Sequence, residues 1–373
     1  MIKVCHLSSG HSTNSVRILH KECCSLLNEG YHVSYVALEN KNVPRTQVKI
    51  ITITKPKSRW HRFLISTHQV YKQAIQVNAH CYHIHDPEMI PYALKLKKRG
   101  KKIIYDVHED LPRQMLVKTW IPMVVRGLLA KCVEKFENIA AKKFHAVVCA
   151  TETIQERFAK FHPQVVLVCN YPILDEKKLV EKSDITKSAN TVCYVGAVTK
   201  ARGITEMIQA IDMADARFDL AGKFDSKELR KNVMNMSGWK KTNYMGFLGR
   251  EEVMKVLGGS CAGFVVLHPQ GQHADSLPVK MFEYMLVGLP VIASDFPLWK
   301  KIVDEHHCGI CVNPLDVREI ARAIKWIIEH PEEAHQMGQN GQRAVLAKYN
   351  WANEEKALIS LYDKLFKQEQ ITE

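Results

Sequence analysis

The chain has 373 residues, a net charge of +13, 46% hydrophobic residues and 24% charged residues. This length favours two domains, and this composition excludes a disordered or fibrous chain. No apolar run in the sequence is long enough to cross a bilayer, and the first residues are typical of a strand rather than of a signal peptide.

The eleven cysteines include the adjacent pair Cys23 and Cys24. They do not form the two CxxC motifs of a zinc site. In a protein that is not exported, such cysteines are most simply reduced thiols, many of them buried. We therefore expect a cytoplasmic protein.

The excess positive charge lies in the first half of the chain. Residues 1–172 hold 26 Lys and Arg against 12 Asp and Glu, and the region from Asn40 to His85 has eight Lys or Arg and no acidic residue. This asymmetry predicts an anionic partner for the first half, which could be a membrane surface, a nucleic acid or a phosphorylated acceptor.

The first half opens with a strand–helix–strand pattern. Residues 2–8 have the alternating pattern of a strand, and Ser8–Ser12 are predicted to be a small polar loop. A helix is predicted at Val16–Asn28 and a second strand at Val33–Leu38. This order predicts a parallel βαβ unit. The loop lacks the full GxGxxG pattern and therefore gives only weak support to a dinucleotide site.

After a strand at Lys49–Thr54, the segment Lys55–Ser66 mixes cations with apolar side chains. The cations are Lys55, Lys57, Arg59 and Arg62, and the apolar residues are Trp60, Phe63, Leu64 and Ile65. On a helix this mixture predicts either an interfacial membrane contact or a surface helix whose apolar side faces the core.

Two polar clusters follow the strands Cys81–His85 and Lys102–Asp106. They are Asp86–Glu88 and Val107–Asp110. Ligands bind at the carboxyl ends of strands in open α/β sheets. A histidine beside acidic residues at such a strand end is therefore a better candidate for chemistry than a lone histidine, which is usually structural.

The first half ends with a helix at Leu116–Ala141 that includes Trp120, a strand at Ala146–Ala150 and a helix capped by Thr151. The polar stretch Asp175–Asn190 is predicted to be a linker.

A second α/β series begins with the strand Thr191–Val195. The loop after it carries Lys200 and Arg202 between two glycines and leads into a helix at Ile204. Cations beside glycines at a helix start suit a diphosphate, although a surface turn is the alternative. Gly222 and Lys223 follow the next strand.

The stretch Asp275–Pro290 places one carboxylate in a loop and a second one in a helix. Pro278 suits the first turn of that helix, which covers Val279–Val287, so Glu283 lies one to two turns into it. The helix N-terminus is an anion site, and the two flanking carboxylates suit a nucleotide-sugar. The alternative is an ordinary βα unit whose Asp275 and Glu283 are solvated. The last predicted element is a tail helix at Ala352–Lys367.

Taken together, these motifs resemble retaining glycosyltransferase family 4, of the type that builds bacterial capsule and O-antigen polysaccharides. Asp275 with Glu283 is similar to the family's E-x7-E motif, with Asp at the first position, and residues 276–297 resemble the surface-polysaccharide version. His85-Asp-Pro-Glu88 and Tyr105–Asp110 are similar to motifs of the first domain.

The resemblance implies an α/β GT-B fold, with two Rossmann-like domains facing a central cleft. Residues 1–172 would form the acceptor-binding domain and residues 173–350 the nucleotide-sugar-binding domain. Residues 351–373 would form a C-terminal helix that crosses back to the first domain.

The resemblance also implies the site residues. His108, Asp275 and Glu283 are the expected catalytic residues, and Glu283 would hold the ribose hydroxyls. The family's phosphate-binding Arg position is Ala197 here and its Lys position is Arg202, so Lys200 or Lys280 is expected to replace the missing cation. The expected donor and phosphate contacts are Gly196, Lys200, Arg202, Gly222, Lys223, Ser276, Leu277, Pro278, Lys280 and Glu283. The expected first-domain residues at the cleft are Gly10, His11, His85, Asp86 and Glu109.

The implied activity is transfer of a sugar from a nucleotide-sugar, a UDP-sugar being favoured over a GDP-sugar, with retention of configuration. The implied acceptor is a polyprenyl-diphosphate-linked lipid or an oligosaccharide, at the inner face of the cell membrane. No metal and no other cofactor is expected. A catalytically degenerate GT-B protein that binds a nucleotide or another anion is the main alternative. Nucleic-acid binding is disfavoured because the sequence lacks the motifs of such proteins.

Overall fold

The computed structural model of the chain describes residues 1–40, 46–117, 121–181, 185–271 and 273–367. It divides into two units, of which the first contains Met1–Asn170 and the stretch from Trp351 onwards, and the second contains Tyr171–Asn350. The division therefore falls two residues before the predicted boundary.

The first unit is built on a seven-stranded parallel sheet. Its strands are β1 (Lys3–Ser12), β2 (His32–Leu38), β3 (Lys49–Ile53), β4 (Cys81–Ile84), β5 (Lys102–Val107), β6 (Ala146–Cys149) and β7 (Val165–Leu167). Their order in the sheet is β3-β2-β1-β4-β5-β6-β7. Every residue of β4 and β6 is buried, as expected for a parallel sheet that helices cover on both faces.

Side chains cap the start of some helical segments in the first unit. Ser15 accepts a hydrogen bond from the Ile18 N–H, and Thr151 accepts one from the Ile154 N–H, which confirms the predicted Thr151 cap. The helices are the π-helical segment Val16–Cys23 continued by α1 (Cys24–Asn28), α2 (Arg59–His61) continued by the π-helical segment Arg62–Ser66, α3 (Thr67–Val77), the 3-10 segment Pro87–Met89, α4 (Ile90–Lys98), α5 (Leu111–Val117), α6 (Met123–Ala141) and α7 (Glu152–Ala159).

The second unit contains a six-stranded parallel sheet. Its strands are β8 (Thr191–Val195), β9 (Arg217–Ala221), β10 (Thr242–Gly246), β11 (Ala262–Val265), β12 (Val291–Ser294) and β13 (Gly309–Val312). Their order is β10-β9-β8-β11-β12-β13. The helices are the 3-10 segment Leu174–Glu176, α8 (Lys177–Glu181), the 3-10 segment Lys200–Arg202, α9 (Ile204–Ala214), α10 (Lys227–Met234), the 3-10 segment Ser237–Lys241, α11 (Arg250–Gly258), α12 (Val279–Leu286), α13 (Pro297–His306), α14 (Val317–Glu329) and α15 (Pro331–Ala347).

The tail helix, α16 (Trp351–Lys367), packs within the first unit. The Tyr362 hydroxyl lies 2.9 Å from His83 Nδ1, and the Glu354 carboxylate accepts a hydrogen bond from the Cys169 N–H at 2.6 Å. Trp351 Nε1 donates to the Ser25 hydroxyl at 3.0 Å.

Two predicted elements of the first unit differ from the structure. The helix predicted at Leu116–Ala141 is wrong: the chain forms α5 and α6, with Pro122 as the N-cap of α6. Proline lacks an N–H and disfavours helical backbone at the preceding residue, so Pro122 interrupts the predicted helix. Trp120 lies outside the described residues.

The loop predicted at Ser8–Ser12 belongs to β1, whose pairing with β2 is irregular between Leu7 and Ser12. In the predicted linker Asp175–Asn190, part of the chain is helical, because it contains the end of one 3-10 segment and all of α8. Among the described residues, we find no helix long and apolar enough to cross a membrane.

Candidate functional site

The strand order of each sheet reverses at one point, and ligands bind at such points in open α/β sheets. In the first sheet the reversal lies between β1 and β4, and in the second it lies between β8 and β11. The residues that follow these strands are therefore the candidate sites of the two units.

Two basic side chains approach Gly196 at the end of β8. A Cβ atom on Gly196 would lie 2.9 Å from Lys280 Nζ and 3.4 Å from Arg202 Nη1. Gly196 also has a φ of +144°, which side-chain-bearing residues rarely adopt. Glycine at this position therefore keeps the space beside both side chains open.

The Lys280 amine is buried in the second unit without a polar partner. Its Nζ is shielded from solvent and makes no hydrogen bond with any residue that the structure describes, although part of the residue reaches the surface. Burial lowers the pKa of Lys280 well below its usual range, and Arg202 lowers it further, while Glu283 acts in the opposite direction. An anion at Gly196 would supply the partner that this amine lacks.

The predicted phosphate contacts Lys200, Lys223 and Gly222 lie in other surroundings than Arg202 and Lys280. Lys200 and Lys223 are exposed, and Lys223 Nζ lies 5.0 Å from the centroid of the Phe247 ring. Gly222 is buried, and a Cβ atom there would lie 1.7 Å from the Gly196 carbonyl oxygen. Gly222 therefore allows the close backbone approach that positions the Gly196 loop.

Glu283 lies in the second turn of α12, where its Oε1 is 2.7 Å from Arg250 Nη1. Arg250 Nε also donates to Glu176 Oε1 at 2.8 Å. Arg250 and Glu176 were not predicted from the sequence, because this pairing joins positions 74 residues apart and leaves no local pattern.

The remaining predicted residues of this stretch form the loop before α12. Asp275 is exposed, and Leu277 is partly exposed. The Ser276 hydroxyl donates to the His273 carbonyl at 3.0 Å. Pro278 is the N-cap with extended backbone, which corrects its predicted place in the first turn, and α12 begins with Val279.

At the switch point of the first sheet, a buried carboxylate collects four hydrogen bonds. Asp86 Oδ2 accepts from the Ser8 hydroxyl at 2.6 Å, the Ser9 N–H at 2.8 Å and the Gly10 N–H at 3.1 Å, and Oδ1 accepts from Arg62 Nη2 at 3.0 Å. Burial acts to raise the pKa of Asp86, but the surrounding charges and hydrogen bonds lower it below its usual value. A Cβ atom on Gly10 would lie 2.3 Å from Arg62 Nη2, so a larger residue here would displace the Arg62 side chain.

His108 is tied to a buried ion pair at the end of β5. Its Nε2 donates to Asp106 Oδ2 at 2.6 Å, since an ionised carboxylate can only accept. Asp106 also accepts from Arg17 Nε at 3.1 Å and from Arg17 Nη2 at 2.8 Å. Burial acts to raise the pKa of Asp106, but Arg17 and His108 hold it well below its usual range. This arrangement leaves His108 Nδ1 as the ring nitrogen that can contact a substrate.

Further histidines and a glutamate surround this pair. The rings of His11 and His85 lie 5.1 and 5.3 Å from the His108 ring, and burial lowers the pKa of His85 to about 4. Burial and the neighbouring Asp106 raise the pKa of Glu22. The predicted residue Glu109 is exposed and accepts a hydrogen bond from Gln114.

The ligand atoms of Glu22, His85, Asp106 and His108 lie within 4.8 Å of one another, so these residue types could hold a metal ion. His6, Glu22 and His83 form a second such group. Neither group was predicted from the sequence. Arg17 Nε lies 3.0 Å from Glu22 Oε1, so the cluster already contains a cation that opposes metal binding.

Two family profiles together match most of the chain. Residues 16–170 match glycosyltransferase family 4, and residues 175–344 match the glycosyl transferases group 1. The chain is a glycosyltransferase with the GT-B fold.

The similar curated proteins are distant in sequence. The α-D-kanosaminyltransferase of Streptomyces kanamyceticus is 23% identical to this chain over 180 residues. These are 47% of this chain and 45% of that protein. An MMP α-(1→4)-mannosyltransferase of Mycolicibacterium hassiacum is 20% identical over 293 residues, which are 75% of this chain and 70% of that protein. The chain thus spans less than half of the first relative and over two thirds of the second.

Solved structures confirm the predicted fold of the glycosyltransferase. Anabaena HepE in complex with UDP and glucose has a TM-score of 0.71 and 12% identity, with 98% of this chain and 100% of that chain covered. WaaG, a glycosyltransferase involved in lipopolysaccharide biosynthesis, has a TM-score of 0.72 and 12% identity, with 97% and 99% covered. At these identities the likeness shows the fold alone.

Proposed function

We propose that the protein transfers a sugar from a nucleotide-sugar, with retention of configuration, and that the second unit binds the donor. The approach of Arg202 and Lys280 to Gly196 carries this proposal, because two basic side chains at a switch point suit a diphosphate. A UDP-sugar is the favoured donor, since the similar HepE structure contains UDP and glucose. A GDP-sugar is the alternative.

In the proposed reaction, the negative charge of the departing diphosphate is met by protein groups and needs no metal ion. Arg202, Lys280 and the free N–H groups at the start of α12 lie ready to stabilise that charge. The acceptor attacks on the face that the diphosphate leaves, and the diphosphate takes the acceptor's proton. His108 orients the donor sugar through Nδ1, and Asp106 fixes the ring. Release of UDP in the presence of donor and acceptor tests this function against a degenerate protein that only binds nucleotides.

We further propose that Glu283 holds the ribose hydroxyls through Oε2, while Arg250 fixes Oε1. Glu283→Gln is then expected to weaken UDP binding by about 1.5–3 kcal/mol, the contribution of one charged hydrogen bond. Titration calorimetry measures the loss. The exposed Glu332→Gln serves as a matched control in the same unit.

A second control separates ribose contact from the support of Arg250. Glu176→Gln removes the other partner of Arg250 but leaves Glu283 in place. An equal loss in Glu176→Gln would assign the effect to Arg250. Unchanged affinity for both UDP and GDP in Glu283→Gln would reject the ribose assignment.

The acceptor proposed here is a lipid-linked sugar of surface-polysaccharide biosynthesis, and the first unit is proposed to meet it at the cytoplasmic face of a membrane. Trp60 and Leu64 are 77% and 68% exposed, so the alternative in which these apolar side chains face the core is wrong. Lys55 and Lys57 are exposed beside them. Arg62, in contrast, pairs with Asp86 and Glu88, and it is not among the cations proposed to meet the membrane.

Helix α6 adds a second exposed apolar surface to the first unit. Met123, Val124 and Leu128 are 81%, 92% and 69% exposed at its N-terminal end. Apolar side chains on a basic unit suit an anionic membrane, since insertion and charge attraction add. Both surfaces are therefore proposed to contact the lipid phase that holds the acceptor.

We expect the wild-type protein to bind vesicles that contain anionic lipid, to bind neutral vesicles weakly and to be released by high salt. Each Lys or Arg at an anionic surface contributes about 1 kcal/mol, within a Debye length of roughly 8 Å at physiological salt. Lys55→Glu with Lys57→Glu should reduce sedimentation with anionic vesicles, and Met123→Ser with Val124→Ser should do so as well.

The matched control for charge is Lys227→Glu with Lys231→Glu, on the exposed face of α10 in the second unit. Leu315→Ser, at a residue that is 56% exposed in the second unit, is the control for apolar contact. Equal sedimentation with neutral and anionic vesicles, or none with either, would reject electrostatic docking.

A further inference from the structure

The surroundings of Lys280 contain the cation Arg202 and little negative charge. From β8, the Tyr194 ring lies 3.7 Å from Nζ, and the Cys193 thiol faces the same amine. Arg202 faces it from the 3-10 segment, Glu283 from α12 and His273 from the loop before α12. Glu283 is the carboxylate of this group, and it already pairs with Arg250 at 2.7 Å.

Among the residues that the structure describes, neither Arg202 nor Lys280 lies within ion-pair distance of a carboxylate. Two neighbouring cations that are both charged would repel each other in this shielded place. A neutral amine at Lys280 avoids the repulsion and also lowers the cost of burial. The lysine, unlike the arginine, can lose its proton near neutral pH when it is buried.

We propose that Lys280 is neutral before the nucleotide binds and takes up one proton from solvent when the diphosphate enters beside Gly196. The amine becomes an ammonium group that donates to a diphosphate oxygen, and no covalent bond changes. Donor binding and proton uptake are thereby coupled. This inference rests on the proposed nucleotide-sugar function and adds its pH dependence.

The direction of the pH dependence follows from the two states of the amine. Burial and Arg202 lower the pKa of Lys280 in the nucleotide-free protein, and the bound diphosphate raises it again. Below the lowered pKa the lysine is already charged, so affinity is independent of pH. Between the two pKa values, affinity for the diphosphate falls tenfold for each unit of rising pH.

Titration calorimetry with UDP at pH 8 tests the coupling, because the terminal phosphate of UDP has already lost its proton above about pH 6. The binding enthalpy is measured in Tris and in HEPES, whose ionisation enthalpies differ, and the difference gives the number of protons taken up. We expect about one proton for the wild type. We expect none for Lys280→Met and about one for the exposed control Lys255→Met.

Two further measurements on variants of Lys280 extend the test. Lys280→Met should bind UDP roughly 10- to 100-fold more weakly, as expected for one lost charge-assisted hydrogen bond, yet unfold at the same or a higher temperature without nucleotide. Lys280→Arg carries a permanent charge and should bind UDP without proton uptake, which serves the test even if the methionine variant fails to fold.

Each remaining outcome decides against the inference. UDP binding by the wild type without proton uptake, or equal uptake by the wild type and Lys280→Met, overturns it while leaving the proposed function intact. If neither UDP nor GDP binds the wild type, the proposed function and the coupling fall together.

Discussion

Replacement of His108 by alanine is expected to reduce turnover by roughly 100- to 1,000-fold, the effect of losing one preorganised polar contact in a transition state. UDP affinity should stay nearly unchanged, because the groups proposed to bind the nucleotide all lie in the second unit. Asp106 holds the His108 ring through Nε2, so the alanine variant loses a positioned group rather than a mobile one. Steady-state rates and UDP titration measure the two effects separately.

The exposed His335 on α15 provides the matched control, since His335→Ala removes an imidazole that no proposed contact uses. The thermal unfolding of both variants shows whether the fold is intact. Wild-type turnover in His108→Ala would show that this histidine is structural. An equal loss of turnover and of UDP affinity would place it in nucleotide binding instead.

Replacement of Arg17 by methionine is expected to destabilise the first unit by about 3–5 kcal/mol. The change leaves the buried Asp106 carboxylate, whose pKa is held low, without its cation, and an uncompensated buried charge is costly. Arg17 Nη1 also donates to the Val168 carbonyl at 2.8 Å, so this contact with the end of β7 is lost as well. Urea unfolding of the full chain measures the loss.

Arg99→Met, at an exposed arginine of the same unit, should leave stability nearly unchanged. Adding Asp106→Asn and Glu22→Gln to Arg17→Met should restore much of the loss, because the neutral side chains need no counter-charge. Wild-type stability in Arg17→Met, or failure of the neutral triple variant to recover any of it, would contradict the account of a charge-balanced cluster.

The sequence predicted the parts of the sites that depend on local pattern. The polar residues after β4 and β5 could be located because they follow short buried strands, and Gly196 with Arg202 because glycines and cations follow β8. The GT-B fold followed from the motif set and the two α/β series. Each of these features depends on residues that are close together in the sequence. Hydrophobic periodicity and turn-forming residues can predict structure over that short range.

The contacts that fix the side chains could not be predicted in the same way. Arg17 reaches Asp106 across 89 positions, and Arg250 reaches Glu176 across 74. One local feature did indicate a buried partner for Arg17. Arg17 is a charged residue at a buried position of a helical pattern, and charged residues are rarely buried unless they are paired. The break between α5 and α6 had a local signal in Pro122, and the apolar pattern of the region hid it.

The thiols of this chain differ enough in access to permit selective chemical labelling. Cys132 is exposed on α6, while Cys24 and Cys311 are partly buried and the other cysteines are buried. Burial raises the pKa of Cys308 and Cys311 to about 12 and raises that of Cys24, which keeps these thiols in their unreactive form. Cys132 lies one turn from Leu128 and Phe136, which are both exposed. A polarity-sensitive fluorophore attached to Cys132 by a maleimide would therefore report directly whether this face of α6 enters a lipid phase, without any change to the sequence.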